Sequence, residues 1–117
     1  MQQILNENDL NIVFGFVAVK FGAIWCSPCK KLEPIMDKLE KEFSNVKFVS
    51  VDIDDIPNLA KQYQIRSLPT IILFKNGREM KKIQGLPLTD SLRKTIREFS
   101  SETVRNTVRE ELFAINV

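Results

Sequence analysis

Cys26 and Cys29 are the two cysteines of this 117-residue chain, and they stand together in the segment Trp25-Cys26-Ser27-Pro28-Cys29-Lys30, at the start of an amphipathic helical pattern. Two intervening residues let the sulfurs meet across the first turn of a helix. There the unpaired N–H groups and the positive end of the helix dipole stabilise a thiolate on the leading cysteine. The spacing points to a dithiol/disulfide redox site. Cys26 is the expected nucleophile. Cys29, about one turn inside the helix and less exposed, is placed to attack the mixed disulfide that Cys26 forms with a substrate, and is the expected resolving cysteine.

Three other uses of the pair fit less well. A structural disulfide closing so short a loop constrains the chain little. A zinc site wants about four Cys or His ligands, and with two cysteines and no histidine only a dimer sharing ligands would complete one, so no metal is expected. Buried, inert thiols are hard to reconcile with a flanking Trp, a helix start and a following Lys.

Composition frames the chemistry. With 117 residues and 44% hydrophobic side chains, the chain is long enough for one domain with a real core and too short for two. Seventeen basic side chains against 15 acidic ones, without a basic stripe interleaved with aromatics, argue against a nucleic-acid surface. The longest apolar stretch, Ile12 to Trp25, is interrupted by Lys20 and preceded by Glu7 and Asp9. Neither a signal peptide nor a membrane span is expected, and the compartment expected is the cytoplasm. In that reducing setting a close cysteine pair is catalytic rather than a permanent staple.

The elements that must position the pair are legible in the pattern. Residues 16 to 21, Phe-Val-Ala-Val-Lys-Phe, read as a buried strand ending at Gly22-Ala23 and delivering the cysteines. From Ser27 to Phe43, Leu32, Ile35, Met36, Leu39 and Phe43 recur at helical spacing. Pro28 suits the first turn of that helix, and Pro34 falls inside it and should kink it. Residues 46 to 51 read as a second buried strand, parallel to the first through a right-handed crossover. Asp54-Asp55-Ile56-Pro57 signals a short helix carrying Leu59, Ala60 and Tyr63. Pro69 opens a strand over Thr70 to Phe74, Asn76-Gly77 turns it into Glu79 to Gln84, and Gly85 ends that strand. Leu88, Leu92, Ile96 and Phe99 mark a last helix starting near Thr89, with Thr89 or Asp90 as its cap. Gln3 to Leu5 are a candidate edge strand.

This β-α-β-α-β-β-α order, with Trp-Cys-x-Pro-Cys-Lys after the first central strand, closely resembles the thioredoxin family over roughly residues 12 to 99. The resemblance also rests on Pro34, Asp52-Ile53-Asp54, Ile65-Arg66-Ser67-Leu68-Pro69-Thr70, Phe74-Lys75-Asn76-Gly77 and Gly85. It implies an α/β thioredoxin fold: a central mixed sheet of parallel strands plus an antiparallel hairpin, flanked by helices. It further implies a cis bond before Pro69, where a strand-opening proline would be the plain reading. Leu68 would offer backbone groups to an extended substrate, in an apolar groove formed by Trp25, Pro28, Leu68, Pro69 and Gly85. Gly85 can both end a strand and admit a partner backbone. The function implied is a protein disulfide reductase with no bound cofactor. Its partners would be disulfide-containing proteins and a flavin- and NADPH-dependent thioredoxin reductase that restores the dithiol. Two other functions stay open: a non-enzymatic binding module, and a more oxidising or isomerase-type oxidoreductase.

Several positions depart from the family. Lys20 stands where the family has a buried Asp, thought to help move the proton of the resolving cysteine. A buried lysine does this only when neutral, which desolvation favours and nearby thiolates oppose. If charged, Lys20 stabilises both thiolates and makes the couple more oxidising. If it instead reaches solvent or pairs with Asp52 on the next strand, it stands apart from the chemistry. Ser50 replaces another residue that is often charged, so the family's buried charge pair is expected to be absent. Ser27 stands in place of the usual glycine between the cysteines, stiffening the loop and tuning the potential. Residues 100 to 117 extend past the usual last helix as part of the same domain as 1–99. An extra C-terminal helix is expected there, capped by Ser100-Ser101-Glu102, and its apolar stripe of Val104, Val108 and Leu112 docks on its own domain, in a homodimer or on a partner. A monomer or a weak homodimer is expected.

Overall fold

The computed structural model describes residues 1–10 and 14–101. A five-stranded sheet forms its centre, and its spatial order differs from its order in the chain. Strand β1 (Gln2–Gln3) lies at one edge, beside β3 (Val46–Asp52), then β2 (Phe16–Gly22), β4 (Thr70–Lys75) and, at the other edge, β5 (Arg78–Gln84). Strand β2 pairs in parallel with β3 and antiparallel with β4, and β4 with β5 is antiparallel, so the sheet is mixed. Helix α1 (Ser27–Glu42) links β2 to β3 as a crossover, α2 (Pro57–Gln62) precedes β4, and a third helix, α3, covers residues 89–101.

Alternation along the central strands divides the core in two. Val17, Val19 and Phe21 of β2 join Val49, Val51, Ile72 and Phe74 and pack under Ile56 and Leu59. The opposite face presents Ala18, Phe48, Ile71 and Leu73 to Leu32, Met36 and Leu39 of α1 and to Leu92, Ile96 and Phe99 of α3. Phe16 and Phe99 meet edge to face with ring centroids 5.2 Å apart, anchoring α3 to the sheet. Arg93 of α3 clasps Glu42 at the end of α1, with Nε donating to Oε2 at 2.7 Å, and this bond holds the Glu42 carboxyl below its usual range.

Some local expectations are displaced. The edge strand is Gln2–Gln3 rather than 3 to 5, although the Ile4 N–H still donates to the Ser50 carbonyl at 2.8 Å, carrying the ladder one residue further. Thr89 and Asp90 do not cap α3 from outside. They lie inside its first turn, where the Leu92 N–H already donates to the Leu88 carbonyl at 2.9 Å. Helix α1 contains Pro34 and runs as one element from Ser27 to Glu42. The stripe of Val104, Val108 and Leu112, with Glu102, lies outside the described residues.

Leu32 has no solvent exposure and sits where α1 meets the sheet. Leu32→Ala should therefore lower unfolding stability by about 2–5 kcal/mol, read as a drop in the urea midpoint at an unchanged slope.

Candidate active site

The site stands where β2 runs out. Strand β2 ends at Gly22, and Ala23, Ile24 and Trp25 carry the chain to Cys26, the N-cap of α1. Cys26 has an extended backbone, and its sulfur accepts a hydrogen bond from the Cys29 N–H at 3.3 Å, so one of the helix's unpaired donors points at this atom. Pro28 falls in the first turn, where its missing N–H costs nothing. The two sulfurs are joined as a disulfide with their Cα atoms 5.3 Å apart.

Both cysteines are buried, at 6% and 3% exposure, and pack with Ala23 against Ile53 and Leu68. They open in different directions. Cys26 lines a groove of about 530 Å³ together with Trp25, Ser27, Pro28, Arg66 and Leu68. Cys29 lines a second cavity, of about 510 Å³, behind the disulfide, with Lys20, Gly22, Glu33 and Asp52 among its walls. Trp25 is 67% exposed, yet its Nε1–H donates to Asp54 Oδ2 at 2.8 Å, so the indole is both accessible and fixed.

The Leu68–Pro69 peptide bond is cis, as the family resemblance implied. Leu68 reaches the groove, whereas Pro69 is buried behind it, and Gly85 lies off the groove wall. Gly85 is tied in through its N–H, which donates to the Pro69 carbonyl at 2.8 Å, and its φ of +83° is one that residues with a side chain rarely adopt. Thr70 Oγ1 donates to the Ser67 carbonyl at 2.7 Å, closing the loop that presents Leu68.

Lys20 corrects one expectation. It is 5% exposed and neither reaches solvent nor pairs with Asp52. Its Nζ donates to Glu33 Oε1 at 3.3 Å. Lys20 lies opposite Ser50 and Ile71 in the sheet, on the face that packs under α1, and so it meets a helix residue. Asp52 has its own partner, since Oδ1 accepts the Asp54 N–H at 2.8 Å. Glu33, Asp54, Ile53, Ile65 and Arg66 were not singled out as site residues from sequence. Glu33 carried one available signal, its position four residues after Cys29 on the same helix face. Among the described residues no group of three or more His, Cys, Asp or Glu side chains is arranged to hold a metal.

The chain is similar in sequence and in fold to known proteins. The sequence model of the Thioredoxin family matches residues 3–98. The chain is 42% identical to the thioredoxin of Chlamydia caviae over 102 residues, covering 86% of this chain and 100% of that protein. It is 48% identical to the thioredoxin of Rickettsia felis over 87 residues, covering 74% of this chain and 78% of that protein. Among solved structures, the oxidised mitochondrial thioredoxin 3 of Saccharomyces cerevisiae superposes with a TM-score of 0.76 at 31% identity, covering 84% of this chain and 94% of that one.

Gly22, the last residue of β2, lies against Cys29. A β-carbon there would lie 3.3 Å from both Cβ and Sγ of Cys29, which the disulfide and the helix hold in place. Gly22→Ala should therefore cost about 1–3 kcal/mol by overpacking. Denaturant titration of the oxidised form checks this, and stability equal to the native chain would show that Cys29 yields to the added methyl.

Proposed function

This chain belongs to the thioredoxin family, and on that premise we propose that Cys26 is the attacking thiolate and Cys29 the resolving thiol. The chain is a thiol–disulfide oxidoreductase that reduces protein disulfides by dithiol exchange through this pair. The observation that carries the division of roles is the asymmetry of surroundings: Cys26 opens on the groove, and Cys29 backs onto the rear cavity. An incoming disulfide in the groove therefore meets Cys26 first.

The reaction starts from the dithiol. The Cys26 thiolate attacks one sulfur of the substrate disulfide, that S–S bond breaks, and one substrate sulfur leaves as a thiolate while the other is joined to Cys26. The Cys29 N–H, already aimed at Cys26 Sγ, and the helix N-terminus favour the negative sulfur before attack. Cys29 then loses its proton and attacks Cys26 Sγ, and the second substrate thiolate departs. Two electrons have passed to the substrate, and the chain is left with the Cys26–Cys29 disulfide, the state seen in the structure.

The groove residues Trp25, Pro28 and Leu68 hold the substrate segment, Pro69 and Gly85 support Leu68 from behind, and Ser27 and Lys20 tune the couple. No cofactor is bound in this reading. Reducing equivalents come from NADPH through a thioredoxin reductase, and the partners are proteins carrying accessible disulfides. The setting is the cytoplasm, in electron transport and cell redox homeostasis. Among the described residues no helix is long and apolar enough to cross a membrane. We assign residues 1–99 to the thioredoxin-like domain, with 100–117 as its extension, in a monomer or a weak homodimer.

With excess dithiothreitol and a model protein disulfide, Cys26→Ser should abolish turnover, at least a hundredfold below the native chain on the order expected for loss of a covalent nucleophile. Pre-reduced Cys29→Ser, mixed with the same substrate after the dithiothreitol has been removed, should accumulate a mixed disulfide through Cys26, visible as an added mass that reductant takes away. Native-rate turnover by Cys26→Ser would overturn the assignment.

A further inference from the structure

We propose that Lys20 and Glu33 form an ionic couple that sets how readily Cys29 sheds its proton, Lys20 favouring the thiolate and Glu33 offsetting it. The proposal rests on Cys29 being the resolving thiol and adds a residue, Glu33, that acts on it through Lys20.

Lys20 shares its face of the sheet with Ala18, Ile71 and Leu73, which pack against the apolar side of α1. An ion pair with one member buried and the other 59% exposed adds little stability, because desolvating Lys20 offsets an attraction that water already screens. The pair is placed where its charge acts on the dithiol. Gly22 leaves a gap in which Cys29 Sγ and Lys20 Cε lie 3.3 and 3.9 Å from the same point, so the ammonium stem and the resolving sulfur flank one backbone position. Glu33 follows Cys29 by one helical turn and accepts from Lys20 Nζ at 3.3 Å, and all three line the cavity behind the disulfide.

The other charged groups facing this cavity are Lys30 on α1, Asp52 at the end of β3 and Asp55 just beyond it. Lys30 and Asp55 are exposed, and Asp52 accepts a backbone N–H of its own turn. Lys20, 5% exposed, is the least screened charge of the set. Its ammonium stabilises a neighbouring thiolate, and the Glu33 carboxylate reduces the field that reaches the sulfur. Glu33, with its side chain 59% exposed, joins this pair to water, which takes up the proton that Cys29 releases.

The two members should therefore act with opposite sign. Mixing the reduced chain with an aromatic disulfide such as Ellman's reagent in a stopped flow releases one coloured thiol when Cys26 attacks and a second when Cys29 resolves. Lys20→Met should move the pH midpoint of the second phase upward and slow that phase about two- to tenfold at neutral pH. Glu33→Gln, whose amide oxygen still accepts from Lys20, should move the midpoint downward and speed the phase. An unmoved second phase, or a shift of both variants in one direction, would overturn the proposal, since a purely structural role carries no sign. Glu33→Gln alters a largely exposed side chain and keeps the test decisive if Lys20→Met fails to fold. Cys29→Ser must abolish the second phase. If that phase persists, the assignment of the resolving thiol is what fails.

Discussion

Strand β2 is hydrogen-bonded along both edges and covered on both faces, and the site depends on that enclosure. Because side chains alternate, slipping the strand by one residue would send Val17, Val19 and Phe21 to the α1 side and Ala18 and Lys20 to the other. Two filled cores forbid that slip. A fixed register fixes where the strand ends, and its end sets the position of the Ala23–Trp25 turn and the N-cap of α1. The cysteines inherit their placement from packing several residues upstream of them.

Placement alone would leave two equivalent sulfurs. What distinguishes them is the first turn of α1, which sets Cys26 as the cap and Cys29 inside the helix. One sulfur then looks toward the Trp25–Leu68 groove and the other toward the space under the helix. The groove wall is held by bonds that do not involve the cysteines: Trp25 to Asp54 on one side, and Thr70 to Ser67 and Gly85 to Pro69 on the other. The groove wall therefore rests on bonds made outside the disulfide.

Most of this was legible because the signals are local. The apolar run 16–21 and the helical spacing from Leu32 to Phe43 follow from burial on two faces or on one, and Asn76-Gly77 carries its own turn chemistry. The β-α-β-α-β-β-α order then leaves few topologies open. The cysteine motif, placed between a strand end and a helix start, announced both chemistry and position. What stayed hidden depends on how elements rest on one another. Asp52 looked a natural partner for Lys20 because neighbouring strands place them close. The choice of Glu33 depends on how α1 lies across the sheet and on a competing bond within the Asp52 turn. Gln2–Gln3 lacks any alternation of apolar residues, so its pairing with β3 follows from the docking of Ile4 and not from its own pattern.

The margins of the sheet carry a consequence of their own. One border strand is only two residues long, and the other, β5, carries Arg78, Glu79 and Lys81 exposed along it. Short or charged borders are poor templates for a foreign strand. For a thiol–disulfide oxidoreductase that meets other chains, an open sheet edge would be a standing hazard of recruitment into their aggregates. Here both borders of the sheet offer such chains little to add onto.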